Sequence, residues 1–179
     1  MPSVVPLKSK VSERAEASYD QVRFSTGGFM SINNDGDIIK ACGYMAIYFG
    51  NLEEELDDLF NLTLQSCPDL KSKERLGFKE KAKHVRKQLT QRFTEHWPSP
   101  YEKVRIRGVL DECMELAKQR NEILHSSIYG GGNDQAILKS RKDGERIITS
   151  AEVYDLANKV HDYGGYVMGL QFVVQRMPV

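Results

Sequence analysis

Along much of this chain apolar residues recur at steps of three and four, the spacing that lays side chains along one side of a helix. The longest run is Ile38, Cys42, Met45, Phe49, Leu52, Leu56 and Leu59, with Ile39, Ala46, Phe60 and Leu64 widening it. It predicts a first helix opening near Asp37, whose carboxylate can accept hydrogen bonds from the unpaired amides of a first turn. Gly43 and Gly50 fall inside it. Each costs about 1 kcal/mol relative to alanine, so both are expected to admit the close approach of another helix. Cys67-Pro68-Asp69 should end the segment. Phe78, Ala82, Val85, Leu89 and Phe93 mark a second helix. Trp97-Pro98-Ser99-Pro100 stops it, because a residue preceding proline is biased away from helical geometry. A third helix is expected from Ser99 as N-cap, with Pro100 at its first position and Glu102 at its third. Ile106, Val109, Leu110, Cys113, Leu116, Ala117 and Leu124 form its inward stripe, and Gly130-Gly131-Gly132 prevents continuation.

The pattern then changes. Two short segments, 135–141 and 145–149, flank Asp143-Gly144, a dipeptide suited to a tight hairpin turn. An isolated hairpin is marginal in water, so this one is expected to pack on the bundle or on a partner. Ser150 is the expected N-cap of a last helix carrying Val153, Leu156, Val160, Tyr163, Val167, Leu170 and Val174 inward. Residues 1–36 show no such pattern. They hold Pro2, Pro6, Gly27, Gly28 and the turn-forming Asn33-Asn34-Asp35-Gly36. The expected fold is all-α, a four-to-five-helix bundle with a small β-hairpin insertion (about 135–149) before the last helix. Residues 1–36 form an irregular arm and 37–179 the bundle domain.

Size and composition narrow this picture little. The 179 residues fit one domain plus an arm. No apolar stretch approaches the length of a membrane span, and Met1–Pro6 lacks the long apolar stretch of a signal peptide. Cys42, Cys67 and Cys113 match no zinc spacing and read as free, mostly buried thiols in a reducing compartment, so cytoplasmic location is expected. Charge changes the picture more. The chain is neutral overall, yet 51–69 holds six acids and no base, while 71–107 holds twelve bases against four acids, a net of +8. A basic segment in a neutral protein can be a footprint for nucleic acid, and Lys79, Lys83, Arg86 and Lys87 on the second helix are the candidate RNA contacts. The plainer alternative is a solvated helix face.

The third helix carries the candidate chemistry in Gln119-Arg120-Asn121-Glu122-Ile123-Leu124-His125. At about 100° per residue from Cys113, Arg120 falls near −20°, amid the apolar stripe, while Asn121 falls near +80° and His125 near +120°. A buried, unpaired guanidinium would cost several kcal/mol, so Arg120 must find an acid, a cleft or an interface. On a purely structural reading it pairs with Glu53, Glu54, Glu55, Asp57 or Asp58, and His125 complements the helix C-terminus. On a functional reading Arg120 grips a phosphate through its planar fork and His125 moves a proton near neutral pH. Asn121, one turn before His125, holds the imidazole or a ribose hydroxyl. RNA brings its own nucleophile, the 2′-hydroxyl, so no metal and no cofactor is required. The other histidines read as incidental: His84 and His96 as surface residues, and His161 beside Asp162 as no dyad, since neighbours on a helix diverge. Gly130-Gly131-Gly132 lacks the Gly-Lys-Ser/Thr ending of a phosphate loop, and Tyr154, Tyr163 and Tyr166 are spaced as core or interface aromatics.

Arg120-Asn121-Glu122-Ile123-Leu124-His125, an arginine, a polar residue and a histidine after a four-residue spacer late in a helix, resembles the signature of the HEPN family (higher eukaryotes and prokaryotes nucleotide-binding). The acidic first helix and long last helix are similar to that family too. The resemblance implies a metal-independent endoribonuclease with Arg120, His125 and Asn121 catalytic. It further implies a homodimer whose two motifs line one cleft, and a toxin or phage-defence role with an antitoxin or regulatory protein as partner. The separation of Arg120 and His125 on the wheel requires the helix to loosen near Ser126, or long side chains to converge at the rim of the cleft. The competing expectations are a non-catalytic helical module binding RNA, nucleotide or protein, and a structural dimerisation domain.

Overall fold

The computed structural model describes residues 34–65, 76–96, 100–130, 135–140 and 144–176, without the side chains of 92–96, 100–104 and 140. Among them are four helices, α1 (Ile38–Gln65), α2 (Phe78–His96), α3 (Pro100–Leu124) and α4 (Ser150–Gln175), and three strands, β1 (Ser127–Tyr129), β2 (Gln135–Ser140) and β3 (Gly144–Thr149). The fold is thus dominated by helices, with a small antiparallel sheet, ordered β1-β2-β3, before the last helix. The expected stops at Cys67-Pro68-Asp69 and Trp97-Pro98-Ser99, the Ser99 cap and most of the arm lie outside the described residues.

The helices form where the apolar spacing predicts them, and one core joins all four. Met45, Phe49, Leu52, Leu56 and Leu59 of α1 meet Ala82, Val85 and Leu89 of α2. Ile106, Leu110, Cys113 and Leu116 of α3, with Val153, Val160 and Val167 of α4, complete that core. Asp37 caps α1: its Oδ1 accepts from the amides of Ile39 at 2.9 Å and Lys40 at 3.0 Å. The preceding turn is tied down as well, since Tyr154 of α4 donates to Asp35 at 2.6 Å and Lys40 pairs with the same carboxylate.

Several expectations are corrected by the packing. Ile39 and Ala46 do not widen the inward stripe of α1; both are exposed, and Ala41 lies inside instead. No helix among the described residues closes on Gly43 or Gly50, where an added Cβ would meet nothing within 4 Å. In α3 the buried residue near the C-terminus is Ile123, with Leu124 at the margin. The cap of α4 is Thr149, whose hydroxyl accepts from the Glu152 amide at 3.2 Å, while Ser150 is buried in the first turn. His84 is not a surface residue: its ring meets Phe60 edge-on at 5.4 Å. His161 packs on Tyr48, and its Nδ1 stands 3.7 Å from Asp162, closer than neighbours on a helix were expected to come yet too long for a hydrogen bond.

The hairpin of β2 and β3 is extended by β1, a strand that three residues are too few to announce through period-2 alternation. Register places Tyr129 opposite Ile137 and Ile137 opposite Ile147 on one face. Ala136, Leu138 and Ile148 occupy the other and join the core. Arg146 clips the sheet to two helices, reaching Glu122 of α3 at 3.0 Å and Glu152 of α4 at 2.7 Å.

Candidate functional site

Arg120 is half-buried on α3, and its guanidinium lies over the ring of Phe49 on α1, 4.7 Å from the ring centre. A planar cation on an aromatic face is attracted by the ring quadrupole, which partly offsets lost hydration. Phe49 itself is braced by Phe78 of α2 at 5.1 Å. Arg120 has no ion pair among the described residues; none of the five acids of α1 reaches it. Its Nε is buried without a hydrogen-bond partner, and Nη1 donates to Asn121 Oδ1 at 2.8 Å. The purely structural reading, an arginine neutralised by an acid of the first helix, is therefore overturned. The remaining guanidinium donors have no protein acceptor among the described residues.

Asn121 is exposed and serves Arg120. The expected carboxamide grip on the histidine ring is not made; only the backbone carbonyl of Asn121 contacts His125, accepting its amide at 3.1 Å. His125 is exposed and stands just after the last residue of α3, two residues before β1. The helix does loosen here: Ser126 N turns to the Ile123 carbonyl at 3.3 Å, a tighter turn, while Ser126 Oγ donates to the Glu122 carbonyl. His125 is thus carried by a helix-to-strand junction held by its neighbours. No side-chain hydrogen bond or ion pair joins it to Arg120 or Asn121 among the described residues.

On α2, Lys79, Lys83 and Lys87 stand exposed at steps of four, without ion-pair partners among the described residues. Arg86 is different: it is half-buried and paired with Asp111 of α3, so it is less available to a ligand than the lysines. Lys81 is likewise drawn inward to Asp57 of α1 at 2.5 Å.

A cleft of about 440 Å³ opens elsewhere, between the end of α3, β3 and the start of α4. Gln119, Glu122, Arg146, Glu152, Asp155 and Lys159 line it, and Arg120, Asn121 and His125 do not. Sequence reasoning missed Phe49 as the platform of Arg120, since a core phenylalanine gives no local sign that a cation will rest on it. No helix among the described residues is long and apolar enough to cross a membrane. In comparisons with family models, with curated proteins and with solved structures, nothing matches this chain.

Proposed function

We propose that this chain is a HEPN-type, metal-independent endoribonuclease that works as a homodimer, with Arg120 and His125 of both copies facing one RNA strand. The observation that supports the reading most is Arg120 itself: a half-buried cation resting on Phe49, with no acid of its own and a buried Nε left unpartnered. Such a cation is completed by an anion from outside. A phosphodiester fits, since its two non-bridging oxygens match the guanidinium fork.

The chemistry follows from what RNA carries. A 2′-hydroxyl oxygen attacks the adjacent phosphorus while one imidazole removes its proton. The bond from phosphorus to the 5′-oxygen breaks, and a second imidazole, from the other copy, protonates that leaving oxygen. The products are a 2′,3′-cyclic phosphate and a 5′-hydroxyl. Arg120 stabilises the added charge on the phosphoryl oxygens, and the imidazole of His125 takes and returns the proton. Asn121 acts as a positioning residue for Arg120. The lysine row Lys79, Lys83 and Lys87 guides the backbone, with affinity falling as salt rises. A cytoplasmic toxin or defence effector held by an antitoxin or regulatory protein is the setting this activity suggests.

A second reading is favoured by the cleft, which excludes the motif. On it, the chain is a non-catalytic helical module that binds RNA, nucleotide or protein. The deciding experiment incubates wild type, Arg120→Ala and His125→Ala with mixed cellular RNA in chelator. Cleavage by wild type alone supports the enzyme; salt-sensitive binding without any product supports the module.

A further inference from the structure

The sheet reaches the candidate motif through one residue. Ile128, Leu138 and Arg146 stand opposite one another across β1, β2 and β3, and residues so paired share a face. Leu138 is fully buried, so Arg146 lies on the side that packs against the helices. Two carboxylates meet it there. Its Nε donates to Glu122 of α3 at 3.0 Å, and its Nη1 to Glu152 of α4 at 2.7 Å. A guanidinium engaged at two nitrogens has its orientation set, which the point charge of a lysine would not achieve. Arg146 makes no hydrogen bond or ion pair with Arg120 or His125 among the described residues.

Glu122 precedes His125 by three residues and serves the junction twice. Its backbone carbonyl accepts from Ser126 Oγ, beside the tighter turn in which the Ser126 amide reaches the Ile123 carbonyl. Its carboxylate is the one that Arg146 holds. Beyond His125, Ser127 and Ile128 pair with Lys139 and Leu138 of β2, and β2 pairs in turn with β3. Residues 122–127 are thus the short side of a closed circuit. One end belongs to α3 and is tied sideways to β3 by Arg146; the other end is laced to the same sheet. His125 lies between them. Its ring is exposed, and no side-chain hydrogen bond or ion pair among the described residues holds it, so its placement depends on the two ends. Glu122, Arg146 and Glu152 also line the cleft together. Without the arginine, two carboxylates would be left there with no cation between them.

We infer, on the ribonuclease reading above, that Arg146 is a positioning residue for the proton transfer: through Glu122 it holds the helix-to-strand junction that carries the His125 imidazole. A displacement of about 1 Å at a reacting group can cost roughly a hundredfold in rate. A clip on so short a loop can therefore govern turnover while RNA binding, assigned to Arg120 and the lysine row, stays as it was.

Two measurements on the full chain test this, one of them without RNA. Wild type is compared with Arg146→Met, Glu122→Met and the double variant. Lys81→Met, which breaks the pair with Asp57 of α1 on another part of the bundle, is the stability control. Amide hydrogen exchange followed by NMR should quicken at least tenfold at Ser126 in Arg146→Met and Glu122→Met, and stay as in wild type at Leu116. With a defined RNA in chelator, kcat should fall at least tenfold in both single variants while KM stays within twofold. The two residues act as one pair, so the double variant should fall no further than the worse single variant. Lys81→Met should keep the wild-type kcat. Unchanged exchange at Ser126 in Arg146→Met overturns the inference. So does a wild-type kcat beside quickened exchange, or an equal loss of kcat in Lys81→Met. A wild type that cleaves no RNA sinks the ribonuclease reading instead, and exchange at Ser126 then still decides whether Arg146 holds the junction.

Discussion

Replacing Arg120 by methionine separates a structural arginine from a functional one. Methionine keeps the unbranched apolar stem and its contact with Phe49, and removes the charge. Three effects then compete. The buried Nε, now without a partner, no longer has to be desolvated, which returns about 1–3 kcal/mol. The stacking of the cation on Phe49 is lost, worth about 0.5–2 kcal/mol. The exposed hydrogen bond from Nη1 to Asn121 is lost too, worth about 0.5–1 kcal/mol. Gain and loss nearly cancel, so Arg120→Met should change folding stability by less than about 1.5 kcal/mol in either direction. Urea unfolding followed by circular dichroism measures this, with an unchanged slope as the check that the unfolded state is the same. RNA cleavage should be lost in the same protein. A destabilisation of about 3–5 kcal/mol, the size expected when a buried ion pair loses one member, would refute the reasoning and make Arg120 a structural residue.

Other outcomes follow from the same geometry. Changing Lys79, Lys83 or Lys87 singly to alanine should lower the slope of log affinity against log salt by up to about one for RNA, with Arg86→Ala having a smaller effect because Asp111 holds that side chain; equal slopes in all four variants would count against the lysine row. Burial pushes the Cys113 thiol up to about 12, so it should resist alkylation at pH 8 until the protein unfolds, as peptide mass spectrometry after iodoacetamide would record. Lys40, then Tyr154 and the Asp37 amide, hold the Asp35 carboxyl below the usual carboxylate range. Its stabilising contribution is therefore complete above about pH 4 and lost as pH falls further, and Asp35→Asn should flatten the acid limb of the melting curve. Burial, then Asp35, raises the Tyr154 phenol from its usual 10.0 to about 12, so that contribution is present below pH 10 and lost as pH climbs toward 12. Tyr154→Phe should remove that alkaline loss, and an unaltered alkaline limb would contradict the contact.

The helices were legible because apolar spacing reports periodicity directly. Their exact faces were less so. Ile39 and Ala46 are apolar, and apolarity alone does not say which side of a helix is buried; both are exposed among the described residues. Thr149 and Ser150 are both hydroxyl residues, and only the extended backbone of Thr149 chooses between them as cap. Strand β1 escaped notice because Ser127-Ile128-Tyr129 gains its strand character from pairing with β2, not from any pattern of its own. At the site, the wheel correctly placed Arg120 toward the core, and the looser turn it allowed for occurs at Ser126, after the His125 amide has made its helical bond to Asn121. What the wheel could not supply was the neighbour. Phe49 lies 71 positions away in sequence, and its contact with Arg120 depends on how α1 and α3 cross. The carboxylates first considered as partners sit on the same helix, one to three turns too far along or on its outer side.

On the proposed mechanism Arg120 and His125 cleave RNA through its own 2′-hydroxyl. The direct measurement is product-end analysis after incubating the purified protein with a defined RNA in chelator, beside His125→Ala. Wild type should give 2′,3′-cyclic phosphate and 5′-hydroxyl ends, and the variant none. Cleavage of equal extent by His125→Ala, or products ending in 5′-phosphate, would contradict it.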